Sequence, residues 1–270
     1  MGATVGGGGE RWHDGTGYES YVGRWSRRVA ERFLSWLEMY HGADWVDVGC
    51  GTGVLTRSIC ELSDPRTVVG VDPSKRFLVA ARTATRDSRV TFVEGDGEHL
   101  PVDDRSVDAV VSGLVLNFVP DLDAALVEMR RVCRPEAIIA GYVWDYAGEM
   151  QLMRRFWDAA VALDPSAADL DEGVRFATAR PEPLIAAFEA ARLQQVEVVG
   201  IEIPTIFSDF EDYWSPFLSG VAPAPTYAMS LKPEDRQRLR DLLDRTLPRE
   251  PDGTISLVAR AWAVRGTLPE

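Results

Sequence analysis

The sequence predicts an α/β protein built on a mostly parallel sheet. Three observations carry that expectation. Short apolar, β-branched runs have strand length, stretches of helical spacing lie between successive runs, and glycine or acidic residues close several runs at their carboxyl ends.

Between Tyr18 and Tyr40 the apolar residues Val22, Trp25, Val29, Phe33, Trp36 and Tyr40 step by three or four, which predicts one amphipathic helix. Its arginines Arg24, Arg27, Arg28 and Arg32 would form the wet face. Asp44 to Val48 reads as a first strand running into glycines, and Val54 to Leu62 resumes helical spacing. Thr67 to Val71 makes a second strand ending at Asp72. The segment from Ser74 to Ala84 follows as a helix with Pro73 in its first turn. Val90 to Val93 and Val107 to Val111 are the third and fourth strands. Asp121 is an N-cap for a helix through Arg131, and Ala137 to Trp144 is the fifth strand. After a helix from Pro181 to Ala191, Val196 to Ile203 and Thr254 to Val264 alternate polar and apolar residues as more exposed strands.

Two stretches exceed a simple connection: 146–180, and 204–253 with Tyr213-Trp-Ser-Pro-Phe217. Insertions over the carboxyl edge of a sheet commonly form caps, and ligands of open α/β sheets bind at that edge. The expected organisation is a glycine-rich flexible start at 1–17 and one domain over 18–270 with two helical cap insertions. Trp144, Phe156, Trp157, Tyr213, Trp214 and Phe217 would line an aromatic pocket if the insertions meet, and packing of the caps is the equal alternative.

A chain of 270 residues with 46% hydrophobic content can fill one large domain. Its 29 basic and 42 acidic residues leave a formal charge of −13, a field that repels nucleic acid and anionic membranes. Cys50, Cys60 and Cys133 are odd in number and far apart, so disulfides and a metal site are not expected. With no signal segment and no long apolar run, the expected location is cytoplasmic.

The densest chemistry lies in Val46-Asp-Val-Gly-Cys-Gly-Thr-Gly53. Glycines there permit a tight turn and let backbone approach a ligand that a Cβ would push away. The pattern is G-x-G-x-G followed by Val54, without the sixth-position glycine or alanine of a dinucleotide loop, which disfavours a dehydrogenase. Asp47 could hold a ligand ammonium, directly or through water, or could fix the turn. Asp72, nineteen residues after Gly53, could accept from both hydroxyls of a ribose or cap the surface. Within Gly95-Asp-Gly-Glu98, Asp96 could accept from an exocyclic adenine amine. These elements follow in order, each at a strand's carboxyl end.

That order resembles the class I S-adenosylmethionine-dependent methyltransferases of the small-molecule type. Val46 to Gly53 is similar to the family's glycine motif, Val68 to Ser74 to its acidic-strand motif, Glu94 to Pro101 to its adenine motif, and Ser106 to Pro120 to its segment around the fourth strand. The similarity covers residues 18 to 145, including the opening Tyr18-Glu-Ser-Tyr-Val-Gly-Arg-Trp-Ser26. The resemblance implies a three-layer Rossmann-like methyltransferase fold with a seven-stranded sheet of order 3-2-1-4-5-7-6, its last strand antiparallel. It also implies S-adenosyl-L-methionine as cofactor. Contacts to that cofactor are then expected from Tyr21, Arg24 and Asp47, and from Gly49, Cys50, Gly51 and Gly53 of the loop. Asp72, Pro73 and Ser74 would follow, with Asp96, Gly97 and Glu98, and finally Gly113 and Leu114.

One departure touches mechanism. Many relatives of this type carry histidine in a segment resembling Gly113-Leu-Val-Leu-Asn-Phe-Val119, and here Asn117 stands in its place. His13, His41 and His99 read as surface or turn residues. A sulfonium is already an excellent leaving centre, so alignment and exclusion of water are the main tasks. If a proton must leave the acceptor, Asp145, Tyr146 and Tyr21 are candidates, with Asn117 as a positioner. For Asp145 a helix-capping role is the alternative. The expected activity is methyl transfer to a small organic acceptor by direct in-line displacement. The alternatives are an RNA or protein methyltransferase, or a cofactor-binding protein without turnover.

Overall fold

The computed structural model of the chain describes residues 23–220 and 222–270. Its described residues divide into two compact units, one of Trp25–Arg154, Phe176–Thr205 and Leu257–Glu270, the other including Arg155–Arg175 and Ile206–Ser256. Tyr18, Tyr21 and the glycine-rich start lie outside the described residues.

Seven strands form one sheet: β1 Asp44–Val48, β2 Thr67–Asp72, β3 Val90–Glu94, β4 Val107–Gly113, β5 Cys133–Trp144, β6 Gln194–Phe207 and β7 Ile255–Thr267. Their order is 3-2-1-4-5-7-6, as the sequence implies. β1 pairs in parallel with β2 and β4, β2 with β3, and β4 with β5, whereas β7 runs antiparallel to β5. All five residues of β1 are buried, which is why that strand reads as an apolar run rather than an alternation. This centre places the carboxyl ends of β1, β2 and β4 side by side.

The helices differ from the sequence expectation mostly at their ends. α1, Arg24–Leu37, buries Trp25, Val29, Phe33 and Leu37 and exposes Arg27, Arg28 and Arg32. It stops short of Tyr40 because Glu38 turns into the left-handed region at φ 53°. α2 is Val54–Leu62 and α3 is Lys75–Ala84. Ser74 is the N-cap of α3, its hydroxyl accepting from Phe77 N, so Pro73 precedes the helix instead of lying in its first turn. Asp121 caps α4, Leu122–Val132, by accepting from Ala124 N at 2.9 Å. β5 begins at Cys133 rather than Ala137. A register shift against β4 and a left-handed Glu136 absorb the charged start that hid it. β6 runs on through Pro204, past the expected end at Ile203, since an edge strand can spare one N–H.

Most of α5 (Gln151–Leu163) and all of α6 (Glu172–Arg175) belong to the other unit, α7 (Pro181–Ala190) to the first, and α8 (Phe210–Trp214), α9 (Pro223–Ser230) and α10 (Pro233–Thr246) to the other unit again. Phe156 stacks on Phe217 at 4.4 Å and meets Trp157 edge-on at 5.3 Å. Phe156, Trp157, Tyr213, Trp214 and Phe217 are all buried. These rings are core, not the lining of an open pocket. The Trp157 indole, sealed from water, donates to Glu172 Oε2 at 2.7 Å. Trp144, expected with them, is buried in β5 of the first unit. Among the described residues no helix is long and apolar enough to cross a membrane, and the three cysteines are free thiols.

Candidate functional site

The glycine loop leaves β1 at Gly49 and enters α2 at Gly53. Gly49, Gly51 and Gly53 all take left-handed φ of 71°, 53° and 82°, which no β-carbon tolerates cheaply. Their surroundings separate them. A Cβ on Gly49 would lie 2.5 Å from Val115 Cγ1, whereas one on Gly51 would have nothing within 4 Å. Gly49 is therefore needed for packing, and Gly51 faces open space. The N–H groups of Gly49 and Cys50 donate to Val71 O at 2.8 and 3.0 Å, hooking the loop onto the end of β2. The Cys50 thiol is buried, which pushes its pKa well above the usual thiol range and leaves it unreactive.

Asp72 joins three of the sequence motifs. Its Oδ2 accepts from Gly51 N at 2.9 Å and its Oδ1 from Ser74 N at 2.8 Å, while its backbone oxygen accepts from Gly95 N at 3.3 Å. Burial pushes its carboxyl pKa up against the two N–H donors, which lower it. Each carboxylate oxygen keeps a second lone pair after these bonds.

Asp47, on β1, is more deeply sealed, at 1% exposure. Its Oδ2 accepts from the Thr56 hydroxyl at 2.6 Å, and its Oδ1 is buried with no hydrogen-bond partner. Burial drives its pKa up to about 7, opposed by the Thr56 hydrogen bond and helped by the negative Asp72. An orphaned buried carboxylate oxygen costs about 1–3 kcal/mol or more. Thr56 escaped the sequence reading because a threonine early in a helix carries no signal of its own.

The third motif forms a tight turn. Asp96 Oδ1 accepts from the N–H groups of Glu98 and His99 at 2.9 and 2.8 Å and lies 3.3 Å from the His99 ring. Glu98 Oε1 accepts from Asp121 N at 3.2 Å, tying the turn to the start of α4. Gly97 would meet Val48 only at ordinary contact distance. His99 is exposed, with its side chain at 84%, and belongs to the surface.

After β4 the backbone is crowded. A Cβ on Gly113 would fall 2.6 Å from the Tyr142 hydroxyl, and Leu114 takes a left-handed φ of 62° while donating to Tyr142 O at 2.7 Å. That turn launches a short 3-10 helix, Leu116–Phe118. Both polar atoms of the Asn117 amide, Oδ1 and Nδ2, are buried without a partner.

Asp145 ends β5 as an anchor. Its Oδ2 accepts from Arg260 Nε and Nη2 at 2.9 and 2.7 Å and from Glu149 N at 2.8 Å. These bonds, all on one carboxylate oxygen, make Asp145 an anchor that joins the end of β5 to β7 and to the turn before Gln151. Arg260, 115 positions away, gave no local hint of this pairing. Tyr146 follows, buried, with its ring 5.0 Å from that of Phe176. Arg24 pairs with Asp212 at 2.8 Å and lies over the Phe207 ring at 4.7 Å. Tyr21, the remaining expected site residue, is outside the described residues.

Known proteins similar to this chain are methyltransferases. Residues 46–141 match a family described as a methyltransferase domain. The chain is 35% identical over 114 residues to malonyl-[acyl-carrier protein] O-methyltransferase of Pectobacterium atrosepticum, covering 42% of this chain and 44% of that protein. It is 30% identical over 145 residues to demethylmenaquinone methyltransferase of Lactobacillus johnsonii, covering 52% and 59%. The chain thus spans about half the length of these curated relatives. Among solved structures, phosphoethanolamine N-methyltransferase 2 of Haemonchus contortus, in complex with S-adenosyl-L-methionine, superposes with a TM-score of 0.60 at 16% identity, covering 94% of this chain and 56% of that one. Such low identity shows a shared fold. Motif order and sheet order agree with the family match, so residues 46–141 are similar to a methyltransferase domain and lie in a sheet of the order expected for the class I type.

Proposed function

We propose that this chain transfers a methyl group from S-adenosyl-L-methionine to a small organic acceptor by direct in-line displacement. The observation that carries the reading is the junction at Asp72, where one residue ties the glycine loop to the acidic-strand end and the 95–98 turn. The residues present fit the cofactor. Asp72 has lone pairs left for a ribose diol, Asp47 holds a buried oxygen lacking a donor, and Gly51 leaves the space a Cβ would take.

When bound, the cofactor supplies a methyl on a cationic sulfur, a reactive centre that the protein need not activate. The work left to this chain is orientation and exclusion of water. Asp47 would receive the ligand ammonium, directly or through water. Gly49, Cys50, Gly51 and Gly53 shape the loop around it. Asp72 would accept from the ribose, with Pro73 and Ser74 holding the turn behind it. Asp96 has an oxygen beyond its turn bonds for an adenine amine, with Gly97 and Glu98 setting the turn and Gly113 and Leu114 closing the far side. Asn117 positions the acceptor, and Asp145 fixes the strand end from which it is approached.

The small-molecule reading is supported by the net charge of −13 and by the demethylmenaquinone in the name of one curated relative. Free thiols support a reducing, cytoplasmic setting. We read 18–270 as one methyltransferase domain with cap insertions at 146–180 and 204–253. Calorimetry should detect saturable binding of both S-adenosyl-L-methionine and its demethylated product. Labelled cofactor should then pass its methyl to low-molecular-weight acceptors of a metabolite extract. Binding without any labelled product would leave a cofactor-binding protein, and label found only in RNA or protein would reassign the acceptor class.

A further inference from the structure

Resting on the transferase reading, we infer that the acceptor is a flat oxygen acid, a phenol or enol that reacts in its ionised form, and that Asn117 is the positioning residue holding its oxygen. Two observations place this chemistry at the end of β4. The Asn117 amide has two polar atoms sealed from water and bonded to nothing. Beside it on the same turn, Phe118 meets Phe176 edge-on at 5.1 Å, and Phe176 meets Tyr146 at 5.0 Å, with Phe118 and Phe176 only half-buried. A cluster of ring faces and edges favours a flat conjugated body, and an unpaired amide favours a group with oxygen lone pairs.

The acid follows from what the amide is unable to do. Asn117 can donate a hydrogen bond but takes no proton, so the acceptor oxygen must already lack one. Among the described residues, the ionisable groups at these strand ends are given other work, Asp47 and Asp72 being assigned to the cofactor under the transferase reading. Asp145 is held through one oxygen by Arg260 and Glu149 N, Asp121 caps α4, and the buried Tyr146 ring packs on Phe176. With an ionised acceptor the step balances without a base. The oxygen lone pair forms the bond to the methyl carbon, the sulfur–methyl bond breaks with its electrons left on sulfur, and the anionic and cationic charges cancel. The Asn117 Nδ2–H holds the oxygen in line until then, at one polar contact.

A matched series tests this, with 4-nitrophenol, phenol, benzyl alcohol and benzylamine as acceptors of labelled methyl. The protein should methylate 4-nitrophenol at neutral pH and phenol poorly. For each phenol, turnover should rise with pH and level off at that phenol's own ionisation. Asn117→Leu should lose about tenfold to a hundredfold in kcat/KM while cofactor affinity and Tm hold, because the amide has no partner in the fold to lose. Asn117→His should extend turnover to phenol and tie its pH profile to the imidazole. Equal use of benzyl alcohol or benzylamine, or full activity in Asn117→Leu, overturns the inference and leaves the transferase reading in place. Transfer to no acceptor of any class, with cofactor bound, overturns the transferase reading itself.

Discussion

Asp47 and Asp72 carry their charge where water cannot reach it easily, and that sets opposite demands on folding and on ligand binding. The folded pKa of Asp47, about 7, stands above its unfolded value, so folding takes up a proton between about pH 4 and 7. Stability is therefore full below the unfolded value and declines as pH rises to the folded one. The decline is on the order of 4 kcal/mol, since a tenfold change in proton affinity is worth about 1.4 kcal/mol. Asp47→Asn should thus raise Tm at pH 8 and much less at pH 5, and should weaken cofactor binding. A Tm difference that does not change between those pH values would remove the buried-charge account. At Asp72, substitution with Ala strips the acceptor from Gly51 N and from a ribose alike. Calorimetry should show cofactor affinity weaker by about 1.5–3 kcal/mol. Unchanged affinity would detach Asp72 from the ligand.

At the scale of elements, the glycine loop makes a sharper prediction than its pattern alone allows. Gly49→Ala meets both a left-handed φ and the Val115 side chain at 2.5 Å, so it should cost about 2–4 kcal/mol in denaturant melts. Val115→Ala in the same chain should recover part of that loss. Gly51→Ala meets only the φ penalty, about 1 kcal/mol, because nothing lies within 4 Å. Its larger effect should appear in cofactor affinity, where the added methyl enters the ligand's space. If both glycines cost the same in stability and in binding, the division between packing and ligand roles fails. Such loops were legible from sequence because β1, the glycines and α2 are consecutive. The same holds for Asp72 and Asp96, each a strand end. The β5 start and the Pro204 stretch of β6 were hidden, since a bulge and an edge position suspend the usual periodicity. Arg260 on Asp145, and Phe176 against Phe118 and Tyr146, were hidden for a different reason. They are tertiary pairings between segments far apart in the chain, and no local pattern encodes them.

At the scale of the whole domain, β1 is polarised along its length, and the pH dependence of stability follows from its two ends. Asp44 opens the strand and Asp47 lies three residues on, yet their surroundings are opposite. Asp44 is bound by Arg66 through both oxygens, accepts from Thr67 Oγ1 at 2.7 Å, and pairs with Arg134 at 3.0 Å. Arg134 also reaches Asp108 at 2.6 Å, and Asp108 accepts from Asp44 N at 2.8 Å. This network joins the amino ends of β1 and β2, with β4 and β5. The hydrogen bond from Arg66, chief among these contacts, holds the Asp44 carboxyl well below the usual carboxylate range. Its stabilisation is then present above the unfolded value near pH 4 and is lost as pH falls toward the folded one. Asp47 contributes with the reverse sign over about pH 4 to 7. The two ends of one strand should therefore give a dome of Tm against pH with its top near pH 4 to 5, unless a bound cation relieves Asp47. Asp44→Asn should lower Tm by several degrees at pH 7, with the deficit shrinking below pH 3 as the wild-type carboxylate protonates. Saturating cofactor should lift the alkaline side of the dome and leave the acid side unmoved beyond the binding contribution itself. Parallel Tm profiles for wild type and Asp44→Asn across pH 2 to 7 would show that the amino-end network is decorative, and the stability of the sheet would have to be sought in its apolar centre alone.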